Sequence, residues 1–221
     1  MSIRNIKWFA APIFIGDHLI VSIFKNERDH MSFTPEQTTE LIRRRRAIFP
    51  KTYIDKPIPR VIIEEVLENA NWAPTHRFTE PWRFRVFTGA SRARLGERLA
   101  ELYKMKAQGE LFSERKYEKN LQKPLRSGCV IAICMQRDPE ESVPEWEEIA
   151  AVACAVQNMW LTCTAHGIGS YWSSAKALQQ DREFLNLKEG ERCLGLFYMG
   201  YHNLPELPGK RGPIEEKVTW M

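Results

Sequence analysis

The chain has 221 residues, of which 43% are apolar and 27% are charged, as in an ordinary globular domain with a sizeable core. Its 32 basic and 28 acidic side chains give a net charge of +4, and one run, Arg43–Arg46, supplies four positive charges. The rest of the chain is nearly balanced, which argues against a broad nucleic-acid surface and favours a local anion site.

The first thirty residues differ in pattern from the rest. A basic start and a short apolar run resemble a signal peptide, but no small-residue cleavage site follows, and Asp17 and His18 interrupt any spanning helix. Residues 1–30 are therefore either an N-terminal extension or the product of an upstream start codon, with the natural chain beginning at Met31. We favour the second interpretation, and we expect residues 31–221 to form one domain.

From Thr34 onward the pattern predicts alternating helices and strands. The predicted helices cover residues 34–46, 59–73, 90–108, 113–122, 145–166 and 181–187. The predicted strands cover residues 82–88, 129–135 and 192–200, with 168–173 as a strand or turn. The helix over 145–166 is apolar over a wide arc and should lie in the core. The whole predicts an α+β fold that ends in an extended C-terminal tail.

The cysteines and the usual catalytic motifs give mainly exclusions. The five cysteines lie in apolar runs without metal-ligand spacing, which predicts no metal site, no disulfide framework and a reducing, cytoplasmic setting. No window approaches the roughly 18–20 apolar residues of a membrane span. Walker, GxGxxG, HExxH and GxSxG motifs are absent, so neither a hydrolase nor a Rossmann dehydrogenase is predicted. We expect no catalytic acid, base or nucleophile from these residues.

Two features point to a site, and each has a purely structural alternative. The stretch Trp72–Trp82 joins a predicted helix to a predicted strand, and its prolines enclose polar groups that include His76. This stretch is either a rigid surface turn or part of a functional site. The arginine run and the later pair Lys210-Arg211 could converge on one phosphate, or they could be a solvated helix end and a basic tail.

Taken in order, these pieces resemble the nitroreductase family of FMN-dependent enzymes. The likeness runs from about Thr34 to Trp220, and each motif is weak alone while the ordered set is strong. The matching segments are Arg45-Arg46-Ala47, Ala73-Pro74 with Pro81-Trp82, Gln157-Asn158, Gly167-Ile168-Gly169-Ser170-Tyr171-Trp172 and Lys210-Arg211.

The resemblance implies a nitroreductase-like fold with a central, mostly antiparallel sheet surrounded by helices. It also implies a homodimer with FMN at the subunit interface. In that arrangement the phosphate and ribityl chain would lie on Arg45 and Arg46, with the backbone of Ala47 and the tail residues Lys210 and Arg211. The flavin ring would lie against Trp72 and His76 from the partner subunit and against Tyr171, Trp172 and Ser173.

Two departures from the family pattern concern the pyrimidine edge of the flavin. Phe78 and Glu80 stand where many members have Asn and Gln, so the partners of that edge are not predicted. Ala47 replaces the usual Ser, which leaves only its backbone N–H for the phosphate.

The implied reaction takes a hydride from NADH or NADPH to the flavin and then reduces a small electron-poor acceptor, such as a nitroaromatic or quinone. Because the flavin supplies the redox chemistry, no catalytic side chain is needed.

Two alternative functions remain. One is a specialised reaction on the same fold, such as dehalogenation or flavin breakdown. The other is a non-enzymatic, RNA-associated module that uses Arg43–Arg46, although the charge balance favours no nucleic-acid partner.

Overall fold

The structure is a computed structural model that describes residues 13–15, 18–20, 33–107, 109–206 and 208–221. The chain divides into two compact units, residues 1–35 and 36–221. In the first unit, strands β1 (Ile13–Ile15) and β2 (His18–Ile20) pair in antiparallel fashion. The predicted extension covers residues 1–30, and its other residues lie outside the described part of the chain. Met31, the alternative start, also lies outside it.

From Pro35 onward, the described residues form five α-helices and four strands in the predicted order. The helices are α1 (Pro35–Arg44), α2 (Arg60–Asn71), α3 (Ser91–Lys106), α4 (Glu114–Leu125) and α5 (Glu145–Ala165). The strands are β3 (Trp82–Phe87), β4 (Cys129–Gln136), β5 (Ile168–Ser173) and β6 (Glu191–Tyr201). None of the described helices is long and apolar enough to cross a bilayer.

The four strands form one sheet in the order β3-β4-β6-β5, and every neighbouring pair is antiparallel. On one face, Val66 of α2 and Val156 of α5 pack with Ile131 and Phe197 of the central strands. On the other face, Leu95 of α3 closes a second core. The sheet is therefore covered by helices on both sides, which explains why β4 is apolar throughout instead of alternating. The predicted α+β class and antiparallel sheet are confirmed.

One predicted element is wrong. Residues 181–187 form successive turns, and the short 3₁₀ helix of this region lies earlier, at Leu178–Gln180. The Asp181 carboxylate accepts bonds from Arg98 (2.5 Å) and from the Phe184 N–H (3.3 Å), and Asn186 has a positive φ of 48°. These contacts and the left-handed residue hold the segment in turns, so its helical spacing does not become a helix.

The segment after α1 covers the edge of the sheet at β5. Ala47 makes a parallel bridge to Ser170, and the Ile48 N–H donates to the Ser170 carbonyl at 3.0 Å. Farther along, the Ile54 N–H donates to the Tyr201 carbonyl at 2.8 Å. An edge strand needs such cover because its unpaired backbone groups would otherwise template other strands. The cover also fixes the position of the arginine run.

Candidate functional site

The arginine run is divided between two environments. Arg43 and Arg44 belong to the last turn of α1, where Arg44 pairs with Glu40 at 3.2 Å and with Glu206. These two behave as a helix end in solvent, where basic groups complement the helix dipole. The chain then leaves the helix, and Arg45 and Arg46 become half-buried.

Trp160 of α5 holds the half-buried arginines. The Arg45 guanidinium carbon lies 4.6 Å from the centre of the Trp160 ring, in a cation–π contact. The Trp160 indole N–H donates to the Arg46 carbonyl at 3.1 Å. One side chain of the central helix thus binds both the charge of one arginine and the backbone of the next.

Arg46 folds back on its own turn. One terminal nitrogen, Nη1, donates to the Arg45 carbonyl at 2.8 Å and to the Arg43 carbonyl. Its Nε is buried and has no hydrogen-bond partner among the described residues. Gly209 of the tail lies directly against the same guanidinium, because a Cβ at that position would be 2.3 Å from Nη2. A larger residue at this point would force the Arg46 guanidinium to move.

Arg211 brings a third guanidinium to this place. Burial first, and then the charges of Arg211 and Arg46, lower the pKa of Arg45 from its usual value. Within the described part of the chain, no carboxylate forms a salt bridge with Arg45, Arg46 or Arg211. A cluster of positive groups without a counter-charge, containing an unsatisfied buried N–H, has the chemistry of a phosphate site.

Lys210 lies beside this cluster in an exposed position. Its carbonyl accepts a bond from Arg211 Nη1 at 2.7 Å, and its own amine extends from the exposed tail.

Strand β5 runs alongside the arginine cluster. Besides the Ala47–Ser170 bridge, the ring of Phe49 lies 4.6 Å from that of Tyr171. Gly169 allows this close approach, since a Cβ there would be 2.8 Å from the Ile48 Cβ and 2.7 Å from the ring of His202. The fold thus brings two segments that the sequence marked separately, β5 and the basic tail, to the segment that contains residues 45–47.

Tyr171 and Trp172 lie on opposite faces of the sheet, because successive strand residues alternate. Tyr171 faces Tyr198, on the side covered by α3, whereas Trp172 packs on the side covered by α2 and α5. The indole N–H of Trp172 is buried and has no described partner. The two side chains therefore cannot both lie on one side of a bound ring.

Lys123 of α4 was not predicted from sequence. Its amine lies 4.6 Å from the centre of the Tyr171 ring and 4.2 Å from that of Tyr198. Burial first, and then the charge of Lys119, lower the pKa of Lys123 to about 8. Nothing in the sequence around Lys123 distinguishes it from the other lysines of a charged helix.

Trp72 and His76 make their contacts elsewhere. Trp72 is 78% exposed, and its indole N–H donates to Glu68 at 3.1 Å. His76 begins a 3₁₀ turn, and its Nδ1 lies 2.6 Å from Oε2 of Glu147, in the first turn of α5. These contacts do not join the turn to the arginine cluster of the same chain.

Asn158, one of the paired amides of α5, contacts α2. Asn158 donates to the Asn69 carbonyl at 3.0 Å, and the Asn69 side chain donates to Thr162 at 2.9 Å. This link joins α2 to α5, so Asn158 serves helix packing.

No cluster of three or more His, Cys, Asp or Glu that could hold a metal occurs within the described residues.

Comparison with known proteins gives the family directly. The family model described as Nitroreductase family matches residues 42–201. The Bacillus subtilis protein "Putative NAD(P)H nitroreductase YfhC" is 31% identical over 186 residues, which cover 82% of this chain and 93% of that protein.

Solved structures agree in fold. The nitroreductase-like family protein from Bacillus cereus superposes with a TM-score of 0.70 at 26% identity, covering 86% of this chain and 97% of that one. The FMN-dependent nitroreductase NfnB from Mycobacterium smegmatis, solved in complex with NADPH, gives 0.64 at 18% identity, covering 83% and 97%. As the resemblance predicted, the chain belongs to the nitroreductase family.

Proposed function

We propose that the chain binds FMN and works as an NAD(P)H-dependent flavin oxidoreductase. The observation that carries this proposal is the arginine cluster, where Arg45, Arg46 and Arg211 lie close enough to repel one another and have no carboxylate partner among the described residues. A phosphate monoester is a dianion that would relieve this repulsion and accept from the unsatisfied Nε of Arg46. Family membership and the names of the compared proteins, which include an FMN-dependent enzyme and NAD(P)H nitroreductases, support the same cofactors.

The residues of this chain would bind and orient the flavin. The three arginines, with Lys210 and the Ala47 backbone, would hold the phosphate end. Strand residues 171–173 would lie along the ring. Because Tyr171 and Trp172 point to opposite faces, one side chain and the strand backbone would contact it. When bound, the flavin supplies electron transfer from NADH or NADPH to a small acceptor, such as a nitroaromatic or quinone.

We also propose that the active form is a homodimer. The turn around His76 carries exposed apolar side chains that a monomer would leave in water: Trp72 is 78% and Phe78 is 88% exposed. Trp146, next to Glu147, is 67% exposed. Adjacent exposed aromatics mark an interaction surface. A second copy covering this patch would place His76 and Trp72 beside the partner's flavin, as the resemblance implies.

The free thiols of all five cysteines support a cytoplasmic location.

The phosphate assignment is tested by replacing Arg45 and Arg211 with Ala together. Each charged hydrogen bond contributes roughly 1.5–3 kcal/mol, and a tenfold change in affinity corresponds to about 1.4 kcal/mol. We therefore expect the Kd for FMN, measured by flavin fluorescence quenching, to rise at least about a hundredfold.

The matched control is the double variant Arg60→Ala with Arg115→Ala. It removes the same total charge from exposed positions on α2 and α4. It should keep the wild-type Kd within about threefold. Equal FMN affinity in the Arg45/Arg211 variant and this control would show that the phosphate binds elsewhere.

A further inference from the structure

The turn that carries His76 is strained. Three of its non-glycine residues have positive φ, namely Arg77 at 51°, Phe78 at 55° and Glu80 at 40°. Such conformations are unfavourable for residues with a Cβ and persist only where the surroundings hold them. Here the Thr75 hydroxyl lies 3.2 Å from the Thr79 hydroxyl and accepts from the Glu80 N–H at 3.2 Å. These contacts fix the backbone of the turn that carries His76.

His76 and Glu147 form a pair whose geometry suits proton donation. The distance between His76 Nδ1 and Glu147 Oε2 is 2.6 Å, and Glu147 is the only hydrogen-bond partner of the ring among the described residues. The His76 side chain is 59% exposed, so Nε2 is left for solvent or substrate. A carboxylate on Nδ1 fixes the orientation of the ring and directs Nε2 away from Glu147, as in other His–carboxylate pairs.

Glu147 is itself held by its neighbour in sequence. Glu148 is 1% exposed, accepts from Arg137, and accepts from the Asp138 N–H at 2.9 Å. Arg137 also donates to the Val143 carbonyl at 2.7 Å. The buried Glu148 therefore anchors the start of α5, while the adjacent Glu147 turns outward to His76. The two neighbouring carboxylates have different roles because Glu148 is buried whereas Glu147 is only half-buried.

We propose that His76 donates the proton that the electron acceptor takes up, and that Glu147 is the residue that positions it. The inference rests on the proposed function. A quinone reduced by a hydride equivalent from NAD(P)H, delivered through the flavin, needs one further proton to become the hydroquinone. The Nε2–H bond of the imidazolium breaks as the new O–H bond forms on the acceptor. The ring is left neutral with Nδ1–H on Glu147, and water returns the proton to Nε2.

The experiment compares two acceptors with the FMN-loaded protein. A benzoquinone takes electrons and protons, whereas ferricyanide takes electrons alone. Stopped-flow reoxidation is measured for wild type, His76→Gln, Glu147→Gln and the control Glu145→Gln. Glu145 lies in the same helical turn and pairs with Arg192 on the surface. General acid catalysis contributes about 10²–10⁴-fold. We expect the ferricyanide-to-quinone rate ratio to rise at least tenfold in His76→Gln, to rise less in Glu147→Gln, and to stay at the wild-type value in Glu145→Gln.

A second readout does not depend on turnover. With ¹⁵N-labelled histidine, wild-type protein should show one ring Nδ1–H proton at low field that is absent in both His76→Gln and Glu147→Gln. An unchanged rate ratio in His76→Gln, or no such resonance in wild type, would overturn the inference while leaving the proposed function intact. A protein that binds no FMN would instead overturn the proposed function, and the resonance would still report on the His76–Glu147 pair.

Discussion

At the scale of single residues, the sequence marked the charged groups of the proposed phosphate site but not the groups that hold them. Arg45, Arg46 and Arg211 were predicted to converge, and the fold places them together. Trp160 and Glu147 were missed, since each looked like an ordinary position of a long helix. Their importance comes from contacts with segments far away in sequence, at Arg45 and His76. Local patterns carry no information about such contacts.

The exposure of Cys154 is another feature that the local sequence pattern did not predict. All five cysteines lie in apolar runs, yet Cys154 is exposed on α5 while the other four are buried. Burial raises the pKa of Cys129 to about 12, and it also raises the pKa of Cys163. The buried positions of four cysteines agree with their apolar runs, and Cys129 and Cys163 have the raised pKa of an unreactive thiol. The exception, Cys154, lies on the outer face of α5. Apolar residues cover most of that helix, so its sequence does not show which side is buried.

Lys123 allows a prediction about stability and pH. Its pKa is about 8 in the folded protein and near 10.5 when exposed. Between these values the unfolded chain binds more protons, so the free energy of unfolding should increase as the pH rises from 8 to 10. Replacing Lys123 with Met should remove this increase, which is on the order of 2 kcal/mol after allowance for partial solvent exposure.

Urea unfolding at pH 7.5, 8.5 and 9.5 measures the effect. Lys116→Met is the control, because Lys116 is exposed on the same helix. Wild type should gain stability relative to Lys123→Met as the pH rises, and it should run parallel to Lys116→Met. Parallel curves for all three proteins would mean that the Lys123 amine is not held between the two tyrosine rings.

At the scale of elements, the helices and strands followed the sequence pattern except at residues 181–187. There the side chain of Asp181 bonds to Arg98, across the fold, and competes with helix formation. Helical spacing in a short polar segment is a weak signal, and a single tertiary contact overrides it. The long helix α5 and the apolar strand β4 were predictable because burial over their whole length leaves a long, regular pattern.

The contact between β5 and the arginine segment leads to a second prediction. Replacing Gly169 with Ala would place a Cβ 2.8 Å from the Cβ of Ile48, which is too close for either backbone to stay in place. Overpacking of this kind typically costs 1–3 kcal/mol. We expect Gly169→Ala to lower the free energy of unfolding by about that amount. It should also weaken FMN binding, because residues 45–47 would move with Ile48.

Gly212→Ala provides the comparison for this variant. A Cβ at Gly212 would meet first the terminal amine of Lys217, at 3.3 Å, and a flexible side chain can move aside. Its stability and FMN affinity should match those of wild type. Wild-type FMN affinity in Gly169→Ala would mean that the arginine segment does not depend on its packing against β5.

At the scale of the whole molecule, the fold class followed from the alternation of helices and buried strands, but the strand order did not. Placing β6 between β4 and β5 is a tertiary choice that no local pattern records. That choice positions the arginine segment on the outer edge of β5, next to the end of the tail. The strained turn with His76 has its contacts on α5 instead, so in the proposed homodimer this turn would come from the second copy.

We propose that this member of the nitroreductase family binds FMN and passes electrons from NAD(P)H through it. The most direct test is the visible spectrum of the purified protein, reconstituted with FMN, desalted, and then mixed with NADH or NADPH without oxygen. We predict that a flavin band is retained at about one FMN per chain and is bleached by at least one of the two nucleotides. A protein that stays colourless after reconstitution, or a retained flavin that neither nucleotide reduces, would contradict the account.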